Sequence, residues 1–331
     1  MNLIFDTNYI LHKNVQALYN MDRLYVDFHT MMENNIQKFI SMNDWDNIFI
    51  VSDSKKKSWR QQILDKDYKG TRTKTQDIDW NFVYNEYNEF KNDLKEKNFN
   101  VFEKDHIEGD DWIAALVLKG NAKNQNNVII SSDQDLLQLI YYKLGNKPFI
   151  NIQIEDKLNK ERVFIPKGWE LWLNEFENKR SSDPFVLDNS LSDITFFNKI
   201  INIYETVEVD RYEQLFKKFI MGDTGDNVPC PYKTLTNTGK ERGIGKVGAQ
   251  KIWKHYSNYY NEIFDTDDDN FASNIVECIE SVNNIELIEG KKKTVKKNIE
   301  SNIKLMELHY KHFPDWVLEE IVTEIKNKNI F

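Results

Sequence analysis

Acidic side chains close four short apolar runs in the first half of the chain. Leu3-Ile4-Phe5 runs into Asp6, and Ile48-Phe49-Ile50-Val51 reaches Asp53 after one serine. Asn100-Val101-Phe102 leads by a short loop to Glu108, Asp110 and Asp111, and Val128-Ile129-Ile130 reaches Asp133 and Asp135 after two serines. Any one such acid is ordinarily a cap or turn residue. Four successive run ends finishing in acids point instead to a shared site, because carboxylates gathered at one place repel unless a cation lies among them. An all-oxygen set without His or Cys selects a hard ion, Mg²⁺ or Mn²⁺ rather than zinc. Two such ions about 3.5–4 Å apart form the usual clamp for phosphodiester hydrolysis. Gly222-Asp223-Thr224-Gly225-Asp226-Asn227 is by itself a turn signature with Asx-type bonding. Paired with the run-end acids it would add two ligands from the second half, placing the site between the two parts.

The elements that must position these acids follow from periodicity. Continuous apolar runs of about four residues, alternating with helical patterns, describe strands buried on both faces of a parallel sheet. Ile36, Phe39 and Ile40 make one helical stripe, and Val83, Tyr87, Phe90 and Leu94 another. Trp112–Leu118 follows a double acid, the charge a helix start favours. In an open α/β sheet, ligands bind at the carboxyl ends of the strands, where all these acids fall. The expected organisation is a doubly wound α/β core over 1–150, with an arch at about 55–80. A hairpin and helical insertion follows over 151–210, with hairpin arms Phe149–Ile154 and Val163–Ile165 and a helix from Pro166 to Phe176. A mainly helical part covers 211–331. Asp265–Asp269 reads as a solvated loop, and Thr234–Gly239 as a polar loop.

Composition narrows the class. The 331 residues are 40% hydrophobic and 29% charged, which suits a globular chain. No apolar run has the roughly 18 residues of a membrane helix. Asp6 interrupts the first apolar stretch and no basic segment precedes it, so neither signal peptide nor membrane is expected and the location is cytoplasmic. Two cysteines, Cys230 and Cys278, make no disulfide framework, and no CxxC pair suggests structural zinc. The net charge of −9, taken as a total, opposes a nucleic-acid partner. Nine acids clustered on metal would leave the remainder balanced, so local basic tracks matter more than the total.

Two such tracks stand out. The first runs from Lys55-Lys56-Lys57 and Arg60 to Tyr68-Lys69-Gly70-Thr71-Arg72. Arg72 would grip two phosphate oxygens while Lys69 acts as a point charge. The second is Gly243-Ile244-Gly245-Lys246-Val247-Gly248. It is preceded by Lys240-Glu241-Arg242 rather than an apolar strand, so it is no dinucleotide fingerprint; Val247 after Lys246 excludes a P-loop. A helix-hairpin-helix turn near 222–257 fits better: Gly243, Gly245 and Gly248 let backbone N–H groups approach a duplex phosphate, and Lys246, Lys251 and Lys254 follow. Lys291-Lys292-Lys293 with Lys296 and Lys297 is either a backbone contact or a solvated helix face.

Taken in order, the N-terminal Asp6, Ser52-Asp53-Ser54, Tyr68–Arg72, Glu108-Gly109-Asp110-Asp111, Ser132-Asp133-Gln134-Asp135, Met221–Asn227 and Gly243–Lys246 resemble the flap-endonuclease and 5′–3′ exonuclease family. Its phage RNases H of the T-even type and the 5′-nuclease domain of DNA polymerase I are similar in the same blocks. The resemblance implies a PIN-like α/β fold with a helical arch, and a helical part carrying a helix-three-turn-helix. It implies that Asp6, Asp53, Glu108, Asp110 and Asp133 hold a first Mg²⁺, with Mn²⁺ able to substitute. Asp135, Asp223 and Asp226 would lead at a second ion, with Asp111 either a ligand or behind one. Lys69 and Arg72 would reach the scissile phosphate from the arch, with Lys57, Arg60 and Tyr68 also on DNA. The family also implies K⁺ at the hairpin turn, a monomer, and replication partners such as a single-strand-binding protein or sliding clamp. The implied activity is hydrolysis near the 5′ end of DNA or RNA, in duplexes, RNA–DNA hybrids and flaps, including RNA primers. A phage-encoded member would work in the host cytoplasm.

Two other readings stay open. A PIN-type ribonuclease suits Asp6-Thr7-Asn8 equally well, but such domains are shorter and lack the arch and hairpin. A non-catalytic, structure-specific DNA-binding protein would gain nothing from acids facing phosphates.

Overall fold

The computed structural model describes residues 1–63, 68–69, 77–144, 147–157, 160–169, 189–235, 238–260 and 265–330. The chain divides into two compact units. One comprises Met1–Trp59, Lys74–Asp210 and Leu308–Phe331; the other comprises Arg60–Thr73 and Arg211–Glu307.

The first unit alternates strand and helix. β1 (Asn2–Asp6), α1 (Thr7–Asn20) and α2 (Leu24–Ile40) lead to β2 (Asn47–Val51); of the short α3 (Trp59–Ile63) only Trp59 is counted in this unit. Next come α4 (Trp80–Glu96), β3 (Asn100–Phe102), α5 (Gly109–Ala122), β4 (Asn127–Ile130) and a 3-10 turn over Asp135–Leu139. β5 (Tyr141–Leu144) pairs with β6 (Lys147–Ile150) as a separate ribbon. β7 (Ile152–Lys157), β8 (Lys160–Pro166), α6 (Asn189–Ile203) and β9 (Glu205–Val209) complete the forward run.

Seven strands form one sheet in the order β3-β2-β1-β4-β7-β8-β9. Only the β7–β8 pair is antiparallel. Alternate residues of each strand feed opposite layers, which explains the continuous apolar runs. Leu3, Phe5, Ile50, Val128 and Ile130 are buried with side chains of α1, α2 and α4. Ile4, Phe49, Val51 and Ile129 are buried with Trp112, Ile113, Leu116 and Val117 of α5. The last helix, α11 (Asp315–Asn327), closes that second layer with Val317, Ile321 and Ile325.

Several expectations are corrected here. The expected hairpin arm Phe149–Ile154 is two strands: β6 turns back on β5, and β7 enters the main sheet. Asn151 makes the break, its amide oxygen taking the Asn127 N–H at 3.0 Å and its own N–H bonding Ile140 O at 2.9 Å. The expected boundary at 150 therefore falls between two strands, and residues 151–210 supply β7, β8 and β9 of the same sheet. Most of the expected 166–176 helix, and residues 64–67 and 70–76 of the expected arch, lie outside the described residues.

The second unit is mainly helical: α7 (Arg211–Met221), α8 (Lys246–Tyr259), α9 (Phe271–Asn283) and α10 (Glu289–Met306). Phe216, Phe219, Trp253, Tyr256, Phe271 and Ile275 form its core. The expected polar loop over Thr234–Gly239 instead begins inside a two-stranded ribbon, Thr234 and Leu235 belonging to β10 (Lys233–Leu235), which pairs with β11 (Glu241–Gly243). Ladder hydrogen bonds formed there by exposed polar residues leave no apolar alternation to read.

Candidate active site

The strand order reverses at β1: β2 lies on one side and the later β4 on the other. Such a switch point opens a crevice at the carboxyl ends of the strands. Asp6 ends β1, Asp53 lies two residues beyond β2, and Asp133 lies three beyond β4. Register aligns these ends, pairing Phe5 with both Ile50 and Ile130.

Asp6 is the N-cap of α1, and its Oδ1 accepts the Tyr9 N–H at 3.1 Å. Its Oδ2 accepts the Ser131 hydroxyl at 2.6 Å. Burial pushes its acid up to about 7 despite those two hydrogen bonds, and the charges of Asp53 and Asp133 add to the rise. Three carboxylates from three strand ends thus share one electrostatic field. Asp53 Oδ1 accepts the Gly109 N–H at 2.6 Å. A Cβ on Gly109 would stand 3.1 Å from that oxygen, so the start of α5 approaches Asp53 as only glycine comfortably allows.

The Glu108-Gly109-Asp110-Asp111 block opens α5, with Glu108 as a buried N-cap and Asp110 in the first turn. Asp111 is fully buried. Its Oδ2 accepts the Glu108 N–H at 3.2 Å and the Trp59 indole N–H at 2.8 Å. Its Oδ2 is thus taken up by protein donors. Asp133 Oδ1 accepts the Asp135 N–H at 2.8 Å, and Asp135 begins the 3-10 turn.

Among the described residues, no three His, Cys, Asp or Glu side chains converge closely enough to hold an ion between them. Asp6, Asp53 and Asp133 are each turned to a protein donor, as mutually repelling charges would be. The donor set itself fits a hard divalent cation, being oxygen only and strongly acidic.

Residues of quieter types hold this rim. Fully buried Ser131 donates to Asp6 and accepts the Asp133 N–H at 3.0 Å, joining two of the strand ends. Gln153 of β7 donates to Ser131 O and Asp133 O at 3.1 and 2.8 Å. Lys91 lies buried near Asp53, paired with Glu103 at 2.8 Å; burial lowers its pKa against that partner. Only the serine carried a local signal, its place just before Asp133.

In the second unit, Asp223 realises the turn reading. Its Oδ1 accepts the N–H of Gly225 and Asp226 at 2.8 and 3.3 Å, and its Oδ2 takes Lys218 Nζ at 3.2 Å. Burial opposes its charge, but Lys218 and the Gly225 and Asp226 N–H groups together hold the carboxyl below its ordinary range. Gly222 has φ +74, and a Cβ there would lie 2.5 Å from Val228 O. Asp226 accepts the Tyr68 hydroxyl at 3.3 Å, and its carbonyl takes the Lys69 N–H at 3.2 Å. Arg60 is buried, donating to Leu305 O at 3.1 Å, so the structure does not present it as a DNA contact. Lys57 is exposed, and Arg72 lies outside the described residues.

Gly245 caps α8 in an extended conformation, with nothing within 4 Å of a Cβ built there. Lys246, Lys251 and Lys254 are exposed along that helix. Gly243 instead fits against Cys230, a Cβ falling 2.9 Å from its sulfur, and Gly248 sits against Ile244. In the other lysine cluster, Lys292, Lys293 and Lys296 pair with Glu280, Glu289 and Glu300, as on a solvated helix face. No helix among the described residues is long and apolar enough to cross a membrane.

Residues 1–164 match the family model for the 5′–3′ exonuclease N-terminal, resolvase-like domain. A 5′–3′ exonuclease of Mycoplasmopsis pulmonis is 26% identical over 264 residues, covering 80% of this chain and 69% of that protein. One from Buchnera aphidicola (Schizaphis graminum) is 28% identical over 187 residues, 54% of this chain and 62% of the relative. Among solved structures, a bacteriophage T5 protein co-crystallised with metal ions superposes with a TM-score of 0.58 at 16% identity, covering 99% of both chains. A bacteriophage T5 flap endonuclease complex with DNA and metal ions gives 0.56 at 16% identity, again over 99% of both. The fold is shared with these structures, and residues 1–164 are matched as a 5′–3′ exonuclease N-terminal, resolvase-like domain.

Proposed function

We propose that the protein is a divalent-metal-dependent nuclease that hydrolyses phosphodiesters near the 5′ end of DNA or RNA, in duplex, RNA–DNA hybrid or flap substrates. The observation that carries this reading is the placement of Asp6, Asp53 and Asp133 at the carboxyl ends of three adjacent strands, around the switch point of the sheet. A binding protein for polyanions has no use for a row of carboxylates there. The relatives' names supply the polarity of the reaction, 5′ to 3′.

Asp6, Asp53, Glu108, Asp110 and Asp133 are the proposed holders of one Mg²⁺ or Mn²⁺, and Asp135, Asp223 and Asp226 the proposed holders of a second. Bound there, such ions supply positive charge to the phosphoryl oxygens and make water acidic enough to attack at neutral pH. The chain's own residues orient and neutralise. Ser131 and Gln153 fix the β4 rim, and the Gly109 N–H fixes Asp53. Lys69 and Arg72 are proposed to stabilise charge on the transferring phosphate, where fixed cations count most. Gly245 and the lysines of α8 are the proposed seat of the duplex backbone.

The test is cleavage of a 5′-labelled flap duplex in Mg²⁺, in Mn²⁺ and in EDTA. Short labelled products in either metal and none in EDTA are expected. Equal cleavage in EDTA would remove the metal from the proposal, and binding without cleavage under all conditions would favour the non-catalytic reading. RNA-containing strands in the same assay define the range of substrates.

A further inference from the structure

Ser131 ties Asp6 to the β4 side of the crevice. On the β2 side the tie is made by buried hydroxyls that belong to no proposed ligand. The ladder between β1 and β2 ends at the pair Asp6–Val51. Past that point the Ser52 N–H turns to β3, at Phe102 O (3.0 Å), and Asp53 stands two residues beyond its strand. The charges of Asp6 and Asp53 repel, so their ends are pushed apart where the ladder no longer holds them.

Fully buried Thr7 begins the tie. Its hydroxyl crosses from the end of β1 and donates to Val51 O at 2.6 Å. Tyr87 of α4 completes it. The buried Tyr87 hydroxyl makes a short hydrogen bond with Thr7 Oγ1, and lies 3.1 Å from Ser52 Oγ and 3.3 Å from Asn8 Oδ1. The Thr7 proton is already given to Val51 O, so Tyr87 is the donor to Thr7. Thr7 adjoins Asp6 in the chain, and Ser52 adjoins Asp53. Lys91, four residues further along α4, shares the face of Tyr87. Its Nζ lies 4.6 Å from the centre of the Tyr87 ring, 3.4 Å from Ser52 Oγ and 2.8 Å from Glu103, just past β3. One face of α4 thus grips the ends of β1, β2 and β3.

We propose that Tyr87 is a positioning residue of the ion site: its hydroxyl fixes the spacing of the Asp6 and Asp53 strand ends, so that one divalent ion meets both carboxylates without first having to draw them together. This rests on the nuclease reading. It gives α4, which supplies none of the proposed ligands, control over ion affinity. A hydroxyl that served packing alone would affect folding and leave ion binding as it is.

The test is Tyr87→Phe, which keeps the ring and deletes only the oxygen. Mn²⁺ binding to the metal-free full chain is measured by calorimetry, beside a thermal melt. Affinity about tenfold weaker is expected, the lower end for groups that orient ligands. Flap cleavage by the variant should return to the parental rate once Mg²⁺ is raised by the same factor. Thr7→Val deletes the oxygen on the other side of the bond. The double variant should bind Mn²⁺ no more weakly than the weaker single one, because both changes act through one contact. Should Tyr87→Phe fail to fold, Thr7→Val carries the same prediction alone. Gly120→Ala is the folding control: a Cβ there would stand 2.6 Å from Asn127 Oδ1, at the other end of the sheet. Its melt should fall with Mn²⁺ affinity unchanged. Parental Mn²⁺ affinity in Tyr87→Phe overturns the proposal, even where its melt falls. Equal weakening in Gly120→Ala overturns it too, tracing the effect to general loosening. Additive losses in the double variant remove the shared contact from the account. If the parent itself binds no Mn²⁺, the metal reading fails as a whole, whereas a parent and variant that bind alike remove Tyr87 only.

Discussion

At the scale of single residues, the acids at the strand ends differ in what they do, and the difference is testable. Asp6→Asn and Asp133→Asn keep the shape of the side chains and most of their hydrogen bonding but remove charge from the shared field. Each is expected to lower single-turnover cleavage to background while DNA binding, measured by anisotropy, changes little; turnover at the parental rate would take that residue out of the mechanism. Ser131→Ala acts one step back. It deletes the bond that opposes the rise in Asp6's pKa and the link to the Asp133 N–H. Divalent-ion affinity is expected to fall by about 10–100-fold, as for other groups that orient ligands. Raising Mg²⁺ should recover most of the rate, a recovery that damage to the chemical step itself would not show. Asp6 and Asp133 were legible in the sequence because a short apolar run ending in an acid is a local pattern. Gln153 was not, because its role exists only once β7 lies beside β4, a pairing over 20 residues that no local spacing encodes.

At the scale of elements, the end of the sheet opposite the site is held by amides. Asn47 of β2 donates to Asn2 of β1 at 2.9 Å, Asn2 to Asn127 of β4 at 3.0 Å, and Asn127 to Asn151 at 2.8 Å. The chain of bonds crosses the strands at their starts and penalises any slip of register, since a slipped amide would be buried without a partner. Gly120 of α5 rests on it: a Cβ there would come 2.6 Å from Asn127 Oδ1 and 2.7 Å from Asn2 Nδ2. Gly120→Ala is therefore expected to destabilise by about 1–3 kcal/mol, the usual cost of overpacking, despite alanine's better helix propensity. A chemical melt equal to or above the parent's would show that the network yields. A second tie is Asp156 on β7, which bonds Lys13 of α1 at 2.8 Å and Lys38 of α2 at 3.1 Å. Burial opposes its charge, but the two lysines more than offset this and hold its pKa below the ordinary value. A lowered carboxyl pKa contributes stability above the unfolded value near 4, lost as pH falls through the folded value. Asp156→Asn is expected to cost about 2 kcal/mol at pH 7 and to flatten the acid limb of the stability profile. An acid limb as steep as the parent's would assign that sensitivity to other groups. The alternating strand and helix units were readable from periodicity. The strand order was not, and neither was the split of Phe149–Ile154, because a buried Asn151 reads as a polar member of either strand.

At the scale of the whole molecule, sequence order and structural units part company at the end of the chain. Composition gives no reason to separate the final helix from those before it, yet Leu308–Phe331 belongs to the α/β unit. Leu308, Phe313, Val317, Ile321 and Ile325 are all buried in the layer that holds Trp59, Phe102 and Trp112. The Leu308 N–H is taken by Gln138 of the 3-10 turn at 2.8 Å, and Lys104 pairs with Glu320 at 2.8 Å. Each buried side chain of this kind contributes roughly 2 kcal/mol. Five of them sum to about 10 kcal/mol, as large as the whole net stability of a typical domain. Ending the chain at Glu307 would remove that contribution and uncover the apolar face of α5, whose start carries Glu108, Asp110 and Asp111. The exposed surface ion pair is expected to matter far less. The truncated protein should therefore lose its cooperative melt and bind a hydrophobic dye, and it should lose cleavage although every proposed ligand is still present. Full-length Val317→Asp should show the same loss, because an unpaired charge in that layer is as disruptive as an absent helix. Glu320→Ala, which breaks only the surface pair, should melt within about 0.5 kcal/mol of the parent. Parental melting and cleavage by the 1–307 chain would mean that the final helix is an accessory, and that the second layer closes without it.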